Sequence, residues 1–107
     1  MNVKLYQITK STRNLFMAYD WVEKHSGSVC PEDYTLAYEC TVDDETGLED
    51  LYRRFNLSHP SDYRCRSMSV SDIVVVHGSS ACEDGSYFCD TIGFRKIDFV
   101  PADPSEE

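Results

Sequence analysis

At 107 residues, 41% of them hydrophobic and 27% charged, the chain has room for one modest core and none for a second domain. A net charge of −9 works against a phosphate-binding surface, because nucleic-acid affinity is largely electrostatic; direct nucleic-acid binding is not expected, and a basic protein surface is the partner that fits, although solubility alone also explains acidity. Five cysteines, an odd number without CxxC spacing, argue against a disulfide framework and a standard zinc module, and no window approaches the roughly 20 apolar residues of a membrane span.

Val3, Leu5 and Gln7 alternate with Lys4, Tyr6 and Ile8, the period of a first strand that ends in the polar cluster from Thr9 to Asn14. Met1 leads into that pattern without a signal peptide's apolar core, so a cytoplasmic protein with reduced thiols is expected. Leu15 to His25 holds no Gly or Pro and sets Leu15, Ala18, Tyr19 and Val22 at helical spacing before Gly27, which predicts a first helix. Behind Pro31, Tyr34 to Val42 is rich in β-favouring residues, with Leu36, Tyr38, Cys40 and Val42 on one parity, and reads as a second strand.

Thr46-Gly47-Leu48-Glu49 matches a capping box, in which hydroxyl and carboxylate each bond the other's backbone N–H, so a second helix starts there. Leu48, Leu51, Tyr52 and Phe55 then fall at i, i+3, i+4 and i+7, with acids at the start and Arg53 and Arg54 near the end. Leu57 to Met68 is a polar connection in which His59-Pro60 disfavours helix.

The stretch from Ser67 to His77 organises the rest. Ile73 to Val76 is apolar on both parities, so both faces of that strand need cover, as in a central strand. It pairs with a strand from Tyr87 to Phe94 across a flexible hairpin tip, Gly78 to Gly85, that is long enough to carry function. Gly93-Phe94 ends or bulges that strand, Arg95 to Val100 extends it or forms a short edge strand, and residues 101–107 form a frayed acidic tail. The expected fold is α+β: one domain over residues 1–100, with a four- to five-stranded mixed or antiparallel sheet and two helices in the order β-α-β-α-β-β. Two arrangements remain open, two crossover units giving a mixed sheet or a mainly antiparallel sheet with both helices on one face.

Taken together, Gly47 to Asn56, His59 to Tyr63, Ser67 to Val76 and Tyr87 to Phe94 resemble a YodL-like domain in order and spacing. The resemblance is closest over residues 34–97, looser over the first strand and helix, and departs at the long loop from Ser79 to Gly85. It implies a small intracellular domain of Gram-positive and gut bacteria, found alone or fused within large proteins of conjugative elements and phages. It implies no established catalytic activity and transfers no catalytic or ligand residues.

Nucleophilic catalysis needs a thiol or hydroxyl with a base in reach; the candidates are Cys65, Cys82 or Cys89 with His59 or His77, and none sits in a known nucleophile motif. His77, Cys82 and Cys89 could meet across the hairpin as soft metal ligands, but a fourth ligand is not evident. No catalytic, cofactor or metal residue is therefore assigned. Asp72 is expected to bond backbone N–H groups where its strand begins, and Asp90 to face solvent or an arginine. The tyrosines read as core and cross-strand packing, some of them possible interface anchors.

Charge layout says more. Glu32, Asp33, Glu39, Asp43, Asp44, Glu45, Glu49 and Asp50 occur without an intervening Lys or Arg, whereas Arg53, Arg54, Arg64 and Arg66 follow with only Asp62 among them, so an electrostatically polar molecule is expected. Those acids solvate a turn and favour a helix N-terminus, or they dock a basic partner, with Asp43, Asp44, Glu45 and Asp50 as the contact residues. Three functions follow: a non-enzymatic protein-interaction domain of a mobile element or its host, an acidic inhibitor or nucleic-acid mimic of the anti-restriction or anti-CRISPR type, and a small cysteine-dependent enzyme.

Overall fold

Four consecutive aliphatic side chains at Ile73 to Val76 demand cover on both sides. The computed structural model, which describes residues 1–9, 14–27, 29–57 and 66–100, supplies it by placing that strand in the middle of a five-stranded sheet. The elements are β1 (Asn2–Ile8), α1 (Tyr19–Ser26), a 3-10 turn (Pro31–Asp33), β2 (Tyr34–Thr41), α2 (Leu48–Leu57), β3 (Ile73–His77), β4 (Gly85–Cys89) and β5 (Phe94–Ile97). The sheet order is β2-β1-β3-β4-β5 and every pairing is antiparallel, which removes the mixed-sheet alternative and makes β5 the short edge strand.

The two helices do not share a face. Val3, Leu5, Val74, Val76, Tyr87 and Cys89 form one buried layer with Leu51 and Phe55 of α2, while Tyr6, Ile8, Ile73 and Phe88 form the other with Val22 of α1 and with Tyr34 and Phe99. The reason lies in β1 and β3, which carry apolar side chains on both parities, so a helix on one face alone would leave the other in water.

The shared parity of Leu36, Tyr38, Cys40 and Val42 does not survive in space. The register passes from Leu5 opposite Tyr38 to Tyr6 opposite Leu36, which leaves Ala37 as an extra residue in β2. Such a bulge flips the face of everything beyond it. Leu36 accordingly packs on the α1 side, and Tyr38, Cys40 and Val42 on the α2 side.

Helix α1 starts four residues later than its apolar spacing suggests. Residues 14–17 form a turn closed by the Met17 N–H on the Asn14 carbonyl at 3.1 Å, and Phe16 holds a positive φ of 66° that a helix cannot include. Ala18 at the N-cap has no side-chain oxygen to offer, so Asp90 from the β4–β5 turn accepts the Tyr19 N–H at 3.2 Å instead. Asp90 is thus a half-buried cap supplied from across the chain, with part of its surface still toward solvent. Gly27 at φ 81° ends the helix by donating its N–H to the Glu23 carbonyl at 3.0 Å.

The capping box of α2 is displaced by one residue. The carboxylate that reaches back is Asp50, which accepts the Gly47 N–H at 3.2 Å, while Gly47 lends its carbonyl to the Leu51 N–H at 3.1 Å. Leu51 and Phe55 are fully buried in the layer that holds Leu5, Val74 and Val76, and Tyr38 meets the Phe55 ring edge-on at 5.8 Å. Tyr52 does not join them; it stays 40% exposed and turns toward Phe94, 6.5 Å between ring centres. The apolar stripe of α2 is therefore narrower than its spacing implied.

Tyr87 to Phe94 is not one strand. It breaks at Asp90–Gly93 into a turn closed by the Asp90 N–H on the Gly93 carbonyl at 3.0 Å, with Gly93 at φ 71° and Ile92 93% exposed. The connection through His59 and Cys65 and the tail at 101–107 lie outside the described residues.

Candidate functional site

The acidic residues singled out from the sequence sit on the turn between β2 and α2, and the chain holds that turn from three directions. Val42 extends the β1–β2 ladder, donating its N–H to the Met1 carbonyl at 2.9 Å, while the Met1 α-amino group bonds the Val42 carbonyl at 2.7 Å and also lies against the Asp44 carboxylate. The Asp43 carboxylate accepts the Glu45 N–H at 3.1 Å, a local turn that an aspartate can close by itself. The Asp44 carbonyl accepts the Ser80 N–H at 2.7 Å, and the Ser79 hydroxyl reaches the Thr46 carbonyl at 3.3 Å. The hairpin tip read as flexible is docked on the acidic turn, and the two form one surface.

The four acids on it are not equivalent. Asp43, Asp44 and Glu45 are exposed. Asp50 is also exposed but committed: the Gly47 N–H and then Arg53, at 3.0 Å, hold its carboxyl below the usual range. Asp43, Glu45 and Asp50 line one shallow depression together with Arg53 and Arg54. The segregation of acids from arginines along the sequence is thus undone here, because a helical spacing of three brings Arg53 over Asp50.

Cys89 and His77 are driven apart by the same register that builds the sheet. Ile73 lies opposite Phe88 and Val76 opposite Gly85, so Cys89 stands level with Asp72 and His77 level with Asp84. Five residues of strand, roughly 17 Å, separate the two levels. His77 is turned to the Asp84 carboxylate, 2.8 Å from its Nδ1. Cys89 is buried, and that burial first, then the charges of Asp72, Glu49 and Asp90, push its thiol up to about 12, the reverse of what a thiolate nucleophile needs. Among the described residues no three His, Cys, Asp or Glu side chains are grouped to hold a metal ion. Cys65 and His59 lie outside those residues.

At the other end of the sheet the chain gathers a polar cluster that sequence reasoning saw only in part. Asp72 is fully enclosed; its carboxylate accepts the Ser69 N–H at 2.9 Å, as expected where its strand begins, but also Gln7 Nε2 at 3.1 Å and Arg66 Nη1 at 3.1 Å. Gln7 donates in addition to the Arg66 carbonyl at 3.0 Å, and the Arg66 guanidinium lies 5.2 Å from the centre of the Phe16 ring. Burial raises the Asp72 carboxyl to about 6 against the opposing pull of Ser69, Arg66 and Gln7. Next to it Ser71, at φ 87°, accepts the Phe16 N–H on its hydroxyl at 3.0 Å, so the two non-glycine residues of positive φ among the described residues fasten each other. Tyr34 donates to the Ser71 carbonyl at 2.6 Å, and burial, with Asp72 and Asp33 adding to it, lifts its phenol well above the ordinary value.

Asp72 is sealed from solvent, so this geometry makes it a fastener of β1, residues 66–69 and β3. A signal for it existed. Gln7 shares the inward parity of Val3 and Leu5, and Asp72 that of Val74 and Val76; two polar side chains on one apolar face call for each other. The contribution of Arg66 had no such signal, since it read as one more member of a basic run.

A five-stranded antiparallel sheet with one helix on each face, an anchored acidic turn at one end and an enclosed carboxylate cluster at the other defines a small α+β domain. The chain belongs to the YodL-like domain family, whose model matches residues 2–99 and so includes the first strand and helix, where the resemblance was looser. No curated protein and no solved structure matches it. No helix among the described residues is long and apolar enough to cross a membrane.

Proposed function

We propose that this YodL-like domain is a non-enzymatic protein-interaction domain of a bacterial mobile element or its host, and that it docks a basic protein surface through the turn at Asp43, Asp44 and Glu45. The observation that carries the reading is the way that turn is held. The exposed carboxylates of Asp43 and Glu45, and that of Asp44 beside the Met1 α-amino group, are presented on a segment fastened to Met1, to the hairpin tip and to the start of α2, so little ordering cost remains to be met on binding. Surface charge of this kind steers encounter and selects partners more than it adds affinity.

A nucleic-acid mimic draws less support, because Arg53 and Arg54 share the depression with the acids and break the run of negative charge. The test is to recover a partner from the native host by pull-down and mass spectrometry, then to change Asp43, Asp44 and Glu45 together to Ser or Asn. Asp50 stays intact because it caps α2. Association should slow and its salt dependence weaken while folding holds. An unchanged rate and salt response would reduce the acidic turn to a solvated surface.

A further inference from the structure

The sheet has two edges, and the chain treats them differently. β5 is four residues long and carries Arg95 and Lys96, both exposed, which is the short, charged form that keeps an edge strand from pairing with another chain. β2 is eight residues long, contains no Lys, Arg or Pro, and among the described residues pairs with β1 alone. The bulge at Ala37 interrupts it on the Tyr34 side and leaves a regular run over residues 38–42.

The hydrogen-bond phase of that run fixes which groups face outward. Met1 and Val42 exchange N–H to carbonyl bonds, so the alternation of an antiparallel ladder turns Cys40 and Tyr38 toward β1 as well. It turns the N–H and C=O groups of Glu39 and Thr41 away from β1, to the open side. Side chains divide by the same parity. Tyr38, Cys40 and Val42 pack on the α2-side core yet stay half-buried, whereas Val3 and Leu5 on the neighbouring strand are fully enclosed, so this layer of the core is unfinished at the β2 edge. Glu39 and Thr41 are exposed on the opposite face, and the run leads directly into the acidic turn at Asp43, Asp44 and Glu45.

We infer that β2 receives an extended segment of the basic partner as a sixth strand of the sheet, with apolar side chains beside Tyr38, Cys40 and Val42 and a Lys or Arg beside Glu39. The inference rests on the docking reading above for the partner's charge and adds the form in which the partner is held. Glu39 and Thr41 present their outward N–H and C=O groups about 7 Å apart, a spacing that an extended backbone matches. A second copy is the poorer occupant. Antiparallel pairing of two β2 strands over this run sets the two Glu39 carboxylates opposite or diagonal to each other, between chains that each carry a net charge of −9.

The experiment titrates the full chain, labelled with nitrogen-15, with acetyl-Val-Lys-Val-Lys-Val-amide, with the same peptide N-methylated at both lysines, and with its glutamate counterpart. A lysine opposite Glu39 or Thr41 supplies the N–H that bonds to it, so N-methylation keeps the charge and removes the bond. Resonances of residues 38–42 should move, and the Glu39 and Thr41 amides should exchange with solvent at least about tenfold more slowly at saturation, with the N-methylated and glutamate peptides about tenfold weaker. Thr41→Pro removes an N–H that β1 does not use and should weaken the lysine peptide about tenfold. Glu39→Gln should weaken it about threefold at an unchanged urea midpoint, and it carries the test if Thr41→Pro disturbs the fold. No shifts, shifts confined to residues 43–47, or equal binding of the N-methylated peptide would overturn the inference. So would concentration-dependent protection of Glu39 and Thr41 without peptide, the mark of a second copy. The docking reading fails separately: with the recovered partner, a slowed association in the Asp43, Asp44 and Glu45 variant alongside an unaffected Thr41→Pro would leave the acidic turn standing and remove the edge. The opposite pattern would remove the turn and keep the edge.

Discussion

Asp72 and Asp43 are the same side chain at opposite ends of one sheet. Asp72 is enclosed by Gln7, Ser69 and Arg66 and raised to about 6, whereas Asp43 bonds only the backbone two residues on and stays in water. One carboxylate ties three chain segments together at the cost of its own desolvation; the other leaves its charge available to whatever approaches. Environment, not residue type, separates the architectural acid from the candidate contact acid, and that difference can be broken or sharpened by substitution.

The largest effect lies in the helix that carries the acidic turn. Phe55 is fully buried in the cluster that holds Val74 and Val76 and meets Tyr38 edge-on, so Phe55→Ala should destabilise the domain by about 3–5 kcal/mol in urea unfolding, and a loss under about 1 kcal/mol would refute that packing. Next comes Asp72→Ala, which removes the acceptor shared by Ser69, Gln7 and a guanidinium only 31% exposed; about 3 kcal/mol is expected, the lower end for breaking a buried pair because Arg66 reaches water. If Asp43→Ser costs as much, the contrast between the two ends is void; it should stay within about 0.5 kcal/mol.

The pH response separates Asp72 from the capping acid of α2. The folded carboxyl of Asp72 at about 6 lies above its ordinary 3.8, so its contribution to stability is fully present below pH 3.8 and is lost as pH rises through 6, up to about 3 kcal/mol in all. Asp50, held low by Gly47 and Arg53, has the opposite sign: what it contributes is present above its unfolded value and is lost as pH falls through its folded one. Urea midpoints between pH 3 and 7 should show the Asp72 component vanish in Asp72→Asn, and carbon-detected titration should place the two carboxyls on opposite sides of 3.8. A smaller effect than at Asp72 is expected at Asp90, where Asp90→Ala removes the oxygen that caps α1 from across the chain and should cost about 1 kcal/mol, with Asp90→Asn nearly neutral.

Local order was legible in the sequence wherever neighbouring residues suffice to specify it. The alternation of β1, the double-faced run at Ile73 to Val76, and Leu51 and Phe55 at helical spacing were readable because periodicity is written within one segment, and the family resemblance rests in part on the last two of these. Asp43, Asp44, Glu45 and Asp50 could be picked out as acids; that Asp50 closes its own helix and pairs with Arg53 is also local, three residues either way, but Thr46 and Glu49 offer a competing cap in the same stretch. The bulge at Ala37, the cap from Asp90 to Tyr19 and the meeting of Gln7, Arg66 and Asp72 join positions that no local pattern links, 71 residues apart for the cap and 65 for Gln7 and Asp72. Such bonds depend on which strands become neighbours and in which register. Those choices are made by burying two apolar faces of one sheet at once, a condition on the whole chain and not on any window of it.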